Sequence, residues 1–411
     1  MKLNKLFTTS AITSALILAG CGGDIVINAE KKVTETVIVD NGNTGGNTDT
    51  PANLPGVYNA SLSQAVTAAL GKTSDVRVIS GRITEDITLT ADVIWALDGA
   101  VFVGNDKADS ATLTIEPGTV IFGRSGTDHL VVSRDSKIMA EGTASAPIIF
   151  TSSQDVLGEA TFPGQWGGMV ILGNGVSNKC PSDGTDCALT VEGVEVEAVF
   201  GGTDNTDNSG VLKYVVVKNA GYELSPGNEL NGITFGAVGS GTTVDYLQVH
   251  NNADDGVEFF GGAVNLKHVV LTNILDDSID WDNGYQGKMQ HVFVRHAVNS
   301  TEANRGIESD NDGSTPSKAP KSEPTIANLT IMGNNYDTGE KDSEGIYFRE
   351  GTGAHLYNTV VTGPGEMGEC LEIEGIAFKD DGTPKFTESE TVNNANSGVL
   401  TIQNSVIACT N

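Results

Sequence analysis

The sequence predicts an all-β fold, a parallel β-helix with one short helix at its N-terminal side. Three observations carry the prediction. Short β-rich runs follow one another with no helical period between them. Those runs fall into register at a step of 22 or 23 residues wherever no loop is inserted. Fifty glycines punctuate the chain, and no second linker divides the part that carries the runs. A coil of that length cannot bury its apolar face alone, so successive coils must stack on one another.

The elements follow in order. Lys2 and Lys5 precede an apolar stretch from Ala11 to Leu18, too short to span a bilayer as a helix. It ends Leu18-Ala19-Gly20-Cys21, which resembles the lipobox of bacterial lipoproteins. The resemblance implies a signal peptide over 1–20, cleavage before Cys21 and acylation of that Cys. Gly22 stands where an Asp would imply retention at the inner membrane, so the resemblance implies an outer-membrane lipoprotein with either leaflet open. Residues 21–57 are poor in large apolar groups, and the run Asp40-Asn41-Gly42-Asn43 reads as a flexible tether. The β-helix body is expected over 58–411.

Ser61 to Gln64 has capping-box spacing, and Leu62, Val66, Ala69 and Leu70 form an apolar stripe that Gly71 can end. A helix here is expected to cover the open end of the strand stack. From residue 211, seven segments align at Tyr214, Tyr246, His268, His291, Asn328, Asn358 and Asn404. One and three residues further on, 12 of 14 positions are aliphatic, which marks a strand with one buried face. A column of Asn219, Asn251, Asn273, His296, Gly333, Gly363 and Cys409 then reads as a tight turn, since Asn and Gly tolerate left-handed backbone. A second strand follows, with Ile233, Val257, Ile279, Ile307, Ile346 and Leu371 inward and Phe235, Phe259, Trp281, Ser309, Phe348 and Ile373 in the next inward column.

At this point the chain resembles the pectate-lyase-like superfamily of right-handed β-helices, through the Asn column, Gly164-Gln165-Trp166-Gly167-Gly168 and Ala253-Asp254-Asp255-Gly256-Val257-Glu258-Phe259-Phe260. The resemblance covers roughly residues 75 to 411. It implies a single-stranded right-handed parallel β-helix, here with a short N-terminal capping helix. Of the motifs carried by β-helix galacturonases only Asp-Asp is present, at Asp254-Asp255 or Asp276-Asp277. Lyases of this fold need acids for Ca²⁺ and a basic Lys or Arg.

The outward column of the second strand is Thr234, Glu258, Asp280, Glu308, Tyr347 and Glu372. Strands about 4.8 Å apart would stack Glu258, Asp280 and Glu308 as like charges, extended by Asp282 and Asp310. Three compensations are open: Ca²⁺ on the carboxylates, raised pKa values, or cations drawn from Lys288, Arg295, Arg305 and Arg349. Three functions are therefore carried forward. The first is binding of an extended ligand, a glycan foremost, with Ca²⁺ at Glu258, Asp280, Glu308, Asp282 and Asp310. The second is a polysaccharide lyase or glycoside hydrolase drawing on Asp254, Asp276, Glu258, Asp280, Glu308, Arg295 and Arg305. The third is an adhesive or structural surface protein, or an accessory partner of an outer-membrane transporter. A merely solvated acidic face is the plainer reading of the same column.

His268 and His291 share a column and read as stacked surface imidazoles or a transition-metal pair. Tyr214 and Tyr246 read as face packing or as a platform for sugar rings. With Cys21 acylated, the remaining cysteines form two sequence pairs, Cys180 with Cys187 and Cys370 with Cys409, as expected of disulfides in an exported chain. Acids outnumber bases 53 to 24, for a net charge of −29. That charge argues against nucleic acid as a partner and against an anionic lipid surface.

Overall fold

The structure is a computed structural model that describes residues 54–182, 186–194, 198–225, 227–297, 305–334, 343–363, 369–379 and 382–409. The signal peptide, Cys21 and nearly all of the expected tether lie outside these residues. Among the described residues, no helix is long and apolar enough to cross a membrane.

The body is a right-handed parallel β-helix. From Ile233–Gly236 to Ala354–Thr362 short strands alternate with long ones, and each kind pairs in parallel with its own kind one coil away; nearer the ends, Val93–Val103, Gly210–Lys218 and Ala354–Thr362 each also pair with two short strands. Thus Val257–Phe260 lies on Ile279–Asp282, while Thr243–Asn252 lies on Asn265–Ile274 and that on Lys288–Arg295. The stacking begins earlier than the sequence register, with Asp75–Ile83 paired to Val93–Val103.

Each long strand is bent at its middle. Tyr214, Tyr246, His268, His291, Asn328 and Asn358, with Asn404 in the last coil, all have φ between +49° and +60°. Across this residue the buried positions change parity. Leu212, Val244 and Leu266 are buried before the bend, and Val215, Leu247 and Val269 immediately after it. The column expected as an outward strand position is therefore a left-handed corner, and a coil has three faces rather than two. Asn suits that backbone, whereas Tyr and His adopt it at a cost of about 1 kcal/mol each or more. Ring stacking offsets part of this. Tyr214 and Tyr246 lie 4.3 Å apart, Tyr246 and His268 4.4 Å, and His268 and His291 5.1 Å, with planes within 14° of parallel.

A second left-handed column follows at Asn219, Asn251 and Asn273. Asn251 Nδ2 donates to Asn219 Oδ1 at 2.7 Å, the expected bonding along the stack. Inside, Phe235 stacks on Phe259, and Trp281 is buried with its Nε1 donating to Thr352 Oγ1. Ile373, expected inward, is exposed because its strand is the last of its face.

The N-terminal helix runs Ala60–Leu70, and its cap is Asn59, whose side chain accepts from Leu62 N; Ser61 already lies within the first turn. Gly71 ends it in left-handed conformation. Val66 packs with Val76, Ala96, Phe122 and Val156, a cluster separate from the central core, so the helix covers outward side chains of the first coils. Ala69 and Leu70 are exposed. The core's end is closed by Leu54 and by the pairing of Val57–Tyr58 with the first coil. Arg77 fastens this segment by donating to the carbonyls of Leu54 and Pro55.

Both expected disulfides are formed, Cys180–Cys187 and Cys370–Cys409.

Candidate functional site

The face of short strands carries the acidic column. In cross-strand register its outward positions are Thr234, Glu258, Asp280, Glu308, Tyr347 and Glu372. Glu258, Asp280 and Glu308 therefore stand on one flank, as the vertical alignment requires. Gly164–Gly168 leads into Gly168–Leu172, the rung next to Ile233–Gly236 on this face. Trp166 is buried and donates to the Lys218 carbonyl at 2.7 Å. Gly168 has φ +121°, and a Cβ there would lie 2.0 Å from the Asn231 carbonyl, so only glycine lets the two coils approach.

The ladder divides into two halves. In the lower half, arginines supply the opposite charge. Arg305 Nε donates to Glu344 Oε2 at 2.7 Å, and its Nη1 lies 3.4 Å from Glu308 and 3.6 Å from Asp277. Arg349 donates to Glu308 Oε1 and places its Nε 2.9 Å from Asp310. Both guanidinium groups sit over the Tyr347 ring. Even so, burial pushes the Asp310 carboxyl up to about 9, against the pull of Arg349. Burial likewise lifts Asp282 to about 6, although the Asn283 amide donates to it. Glu344, Glu369 and Glu372 also bring oxygens within 4.8 Å of one another, with Glu344 held by Arg305.

Lys288 and Arg295 stand elsewhere. Both lie on the long strand Lys288–Arg295, in rows with Thr325 and with Thr272 and Met332. That strand belongs to other faces of the coil, so these two do not neutralise the ladder.

In the upper half the acids have no such partners. Among the described residues, no Lys or Arg makes an ion pair with Asp254, Asp255, Glu258, Asp276 or Asp280. Each Asp-Asp element splits its duties. Asp255 Oδ1 accepts from Asp277 N, Asp277 Oδ1 from Arg305 N, and Asn231 Oδ1 from Asp255 N, all at 3.0–3.1 Å. This vertical ladder ties four coils together. Asp254 and Asp276 instead line an open groove of about 610 Å³ with Tyr222, Glu223 and Glu229.

Glu258 and Asp255 are each 7% exposed. Glu258 accepts one bond, from Asn231 Nδ2 at 2.6 Å. Asp280 Oδ1 is shut from solvent and has no hydrogen-bond partner. Burial, followed by the neighbouring carboxylates, raises Asp254 to about 8, holds Asp255, Glu258, Asp277 and Asp280 well above the usual carboxylate range, and raises Asp276 against the pull of Arg305. Oxygens of Asp254, Asp255 and Asp276 lie within 4.8 Å of one another, as do those of Asp255, Glu258 and Asp280. Two oxygens that bind one Ca²⁺ at about 2.4 Å are at most about 4.8 Å apart, so both triads have the compactness such an ion needs.

Two further acids were not legible in the sequence. Glu229 belongs to the small hairpin of Glu223–Ser225 and Asn228–Glu229. Glu192 sits on the insertion that carries the Cys180–Cys187 disulfide. Gly193 N donates to Asn228 Oδ1, and Arg134 holds the insertion through the carbonyls of Cys187 and Gly201. Burial and Glu229 raise the Glu192 carboxyl, and Glu192 is the strongest charged neighbour of Glu258.

Tyr214 and Tyr246 face each other at 4.3 Å, and Tyr246 also faces His268, so both faces of the Tyr246 ring are taken within the stack. His268 Nδ1 is bound to Asp245 Oδ1 at 2.8 Å.

No curated protein matches the chain. Among solved structures, the Dettilon tailspike protein is similar at 10% identity over 78% of this chain and 72% of that one, with a TM-score of 0.18, too low to bear on fold or function. The model of the pectate-lyase-like β-helix domain matches residues 81–408, and the chain belongs to that family.

Proposed function

We propose that this protein is an outer-membrane lipoprotein, anchored through Cys21, that binds Ca²⁺ in the upper half of the acidic ladder and holds an extended ligand, a glycan foremost, along that flank. The observation that carries the proposal is the pair of carboxylate triads sharing Asp255, with an Asp280 oxygen that is buried and unpartnered. A buried carboxylate without a partner is costly, and a divalent cation is the simplest group to relieve several at once. Glu308 and Asp310 fit that role less well than Asp254, Asp255, Glu258, Asp276 and Asp280, because Arg349 already holds them.

Calorimetric titration of the EDTA-stripped full chain with CaCl₂ and with MgCl₂ tests the cation. Heat with Ca²⁺, together with proton release at neutral pH, is expected. No heat and no thermal shift would leave a solvated acidic face. Labelling with radioactive palmitate, abolished by Cys21→Ser, tests the anchor.

The hydrolase or lyase reading keeps one supporting observation. Asp254 and Asp276 bring carboxylate oxygens within 4.8 Å in an open groove, near the short separation of retaining glycosidases. Assays for reducing ends and unsaturated products on uronate and neutral glycans decide it.

A further inference from the structure

The five acids of the upper ladder do not form one cage. Their oxygens gather as two triads, Asp254, Asp255 and Asp276 in one and Asp255, Glu258 and Asp280 in the other, with Asp255 in both. An ion that binds oxygens at about 2.4 Å spans a cluster about 4.8 Å across, so one ion fits one triad. The triads also differ in setting. Asp254 is half-buried, Asp276 is exposed, and both line the groove of about 610 Å³. Asp255 and Glu258 are each 7% exposed, and Asp280 is half-buried with one oxygen shut from solvent.

The inner triad is fixed in place without being satisfied. Asp255 receives its side-chain hydrogen bond on Oδ1, from Asp277 N, and Glu258 on Oε2, from Asn231 Nδ2. Among the described residues no donor meets the second oxygen of either, and Asp280 Oδ1 has none. Each acid of this triad therefore keeps an oxygen that no donor satisfies, which a buried site tolerates only when another group meets it. Charge gives the number of ions. No Lys or Arg pairs with the five acids among the described residues. One divalent ion offsets two of their five charges, whereas two ions offset four.

We infer that the upper ladder holds two Ca²⁺ ions bridged by Asp255, an inference that rests on the cation reading above. The inner ion sits on Asp255, Glu258 and Asp280. The outer ion sits on Asp254, Asp255 and Asp276 at the groove, and water fills its remaining places, since Ca²⁺ takes about six to eight oxygens. A carboxylate that gives oxygens to both ions holds them about 4 Å apart and offsets their repulsion. The outer ion binds second and more weakly, because it meets the charge of the first and its site is open to water.

Equilibrium dialysis of the EDTA-stripped full chain against radioactive CaCl₂ counts the ions. Two per chain are expected, the second with a Kd at least tenfold that of the first. Glu258→Gln is expected to leave one ion, and so is the double variant Asp254→Asn, Asp276→Asn. Asp255→Asn, which keeps an Oδ1 to accept from Asp277 N, is expected to weaken both ions at least tenfold, with circular dichroism checking that the coil stands. One ion per chain in the wild type overturns the inference and leaves the cation reading intact, and this count holds whatever a variant does to folding. An Asp255→Asn protein that loses one ion and keeps the other at full affinity overturns the bridge. No bound calcium at all overturns both the bridge and the cation reading.

Discussion

Replacing Asp280 by Asn is expected to stabilise the cation-free protein at pH 8 and to leave it nearly unchanged at pH 4. Asp280 lies between Glu258 and Glu308 in register, and its oxygens come within 4.8 Å of those of Glu258 and Asp255. Arg349 and Arg305 offset Glu308, so the uncompensated neighbours are Glu258 and Asp255. Two unit charges at that distance repel by about 3 kcal/mol at an effective dielectric constant of 20. The alternative, keeping a proton on Asp280 at pH 8 against an unfolded pKa near 3.9, costs about 6 kcal/mol. Burial of the ionised carboxylate adds to the repulsion and protonation caps the sum, so the amide should gain about 3–6 kcal/mol at pH 8. At pH 4 the unfolded carboxyl is itself half protonated, and the gain vanishes. Urea unfolding of both proteins in EDTA, at the two pH values, measures this. Calcium should then narrow the gap, since ligand at about 100 times its Kd stabilises the wild type by about 2.7 kcal/mol and the variant by less. A variant that is less stable than the wild type at pH 8, or equally shifted at both pH values, would refute the electrostatic account of the ladder.

Three further outcomes are expected. In EDTA, stability supplied by the buried acids of both halves of the ladder should be greatest below pH 4 and drain away as pH rises toward 8 or 9. The sign follows because Asp254 is lifted to about 8 and Asp310 to about 9, so the folded state holds protons that the unfolded chain has released. The difference between melting curves with calcium and with EDTA, followed from pH 4 to 9, isolates this part from the remaining carboxylates. Arg349→Gln should cost about 3 kcal/mol by leaving Asp310 unpaired and Glu308 to Arg305 alone, and calcium should restore part of the loss in a urea titration. Gly168→Ala should cost more than about 2 kcal/mol, through a positive φ and a Cβ 2.0 Å from the Asn231 carbonyl, measured as a fallen urea midpoint.

Much of the fold was legible because a stacked coil repeats its buried positions. Once Val257, Ile279 and Ile307 are aligned, the residue after each must point outward, and the acidic column follows with no coordinates. The corner was not legible. Tyr214 and His268 carry no mark of left-handed backbone, and only the Asn residues further down the same column do. Nor could register say which cation meets which acid. Lys288 and Arg295 are as near in sequence to Asp280 as Arg305 is, yet the corner turns their strand onto other faces. Glu192 and Glu229 come from insertions, which have no period to align. The cap on Asn59 was missed because Ser61 offers the same chemistry two residues later, inside the turn.

The position of the arginines decides what the ladder can do. Arg305 precedes Glu308 by three residues and so reaches across one rung to Glu344 and to Asp277. Arg349 follows Tyr347 by two and reaches back to Glu308 and Asp310. The rungs of Glu258 and Asp280 carry no basic residue at either offset, since Asp255 and Phe260, and Asp277 and Asp282, occupy those places. A β-helix repeats backbone and not charge, so each rung is free to carry its own counter-ion or to leave the place for one from solution. The lower rungs carry theirs, and the upper rungs place Asn231, Asp255 and Asp277 so that backbone amides hold the acids in position without neutralising them. Amide donors that fix geometry while leaving net charge are what a cation site needs. A face selected only for solubility would have no reason to bury Glu258 or to isolate an oxygen of Asp280.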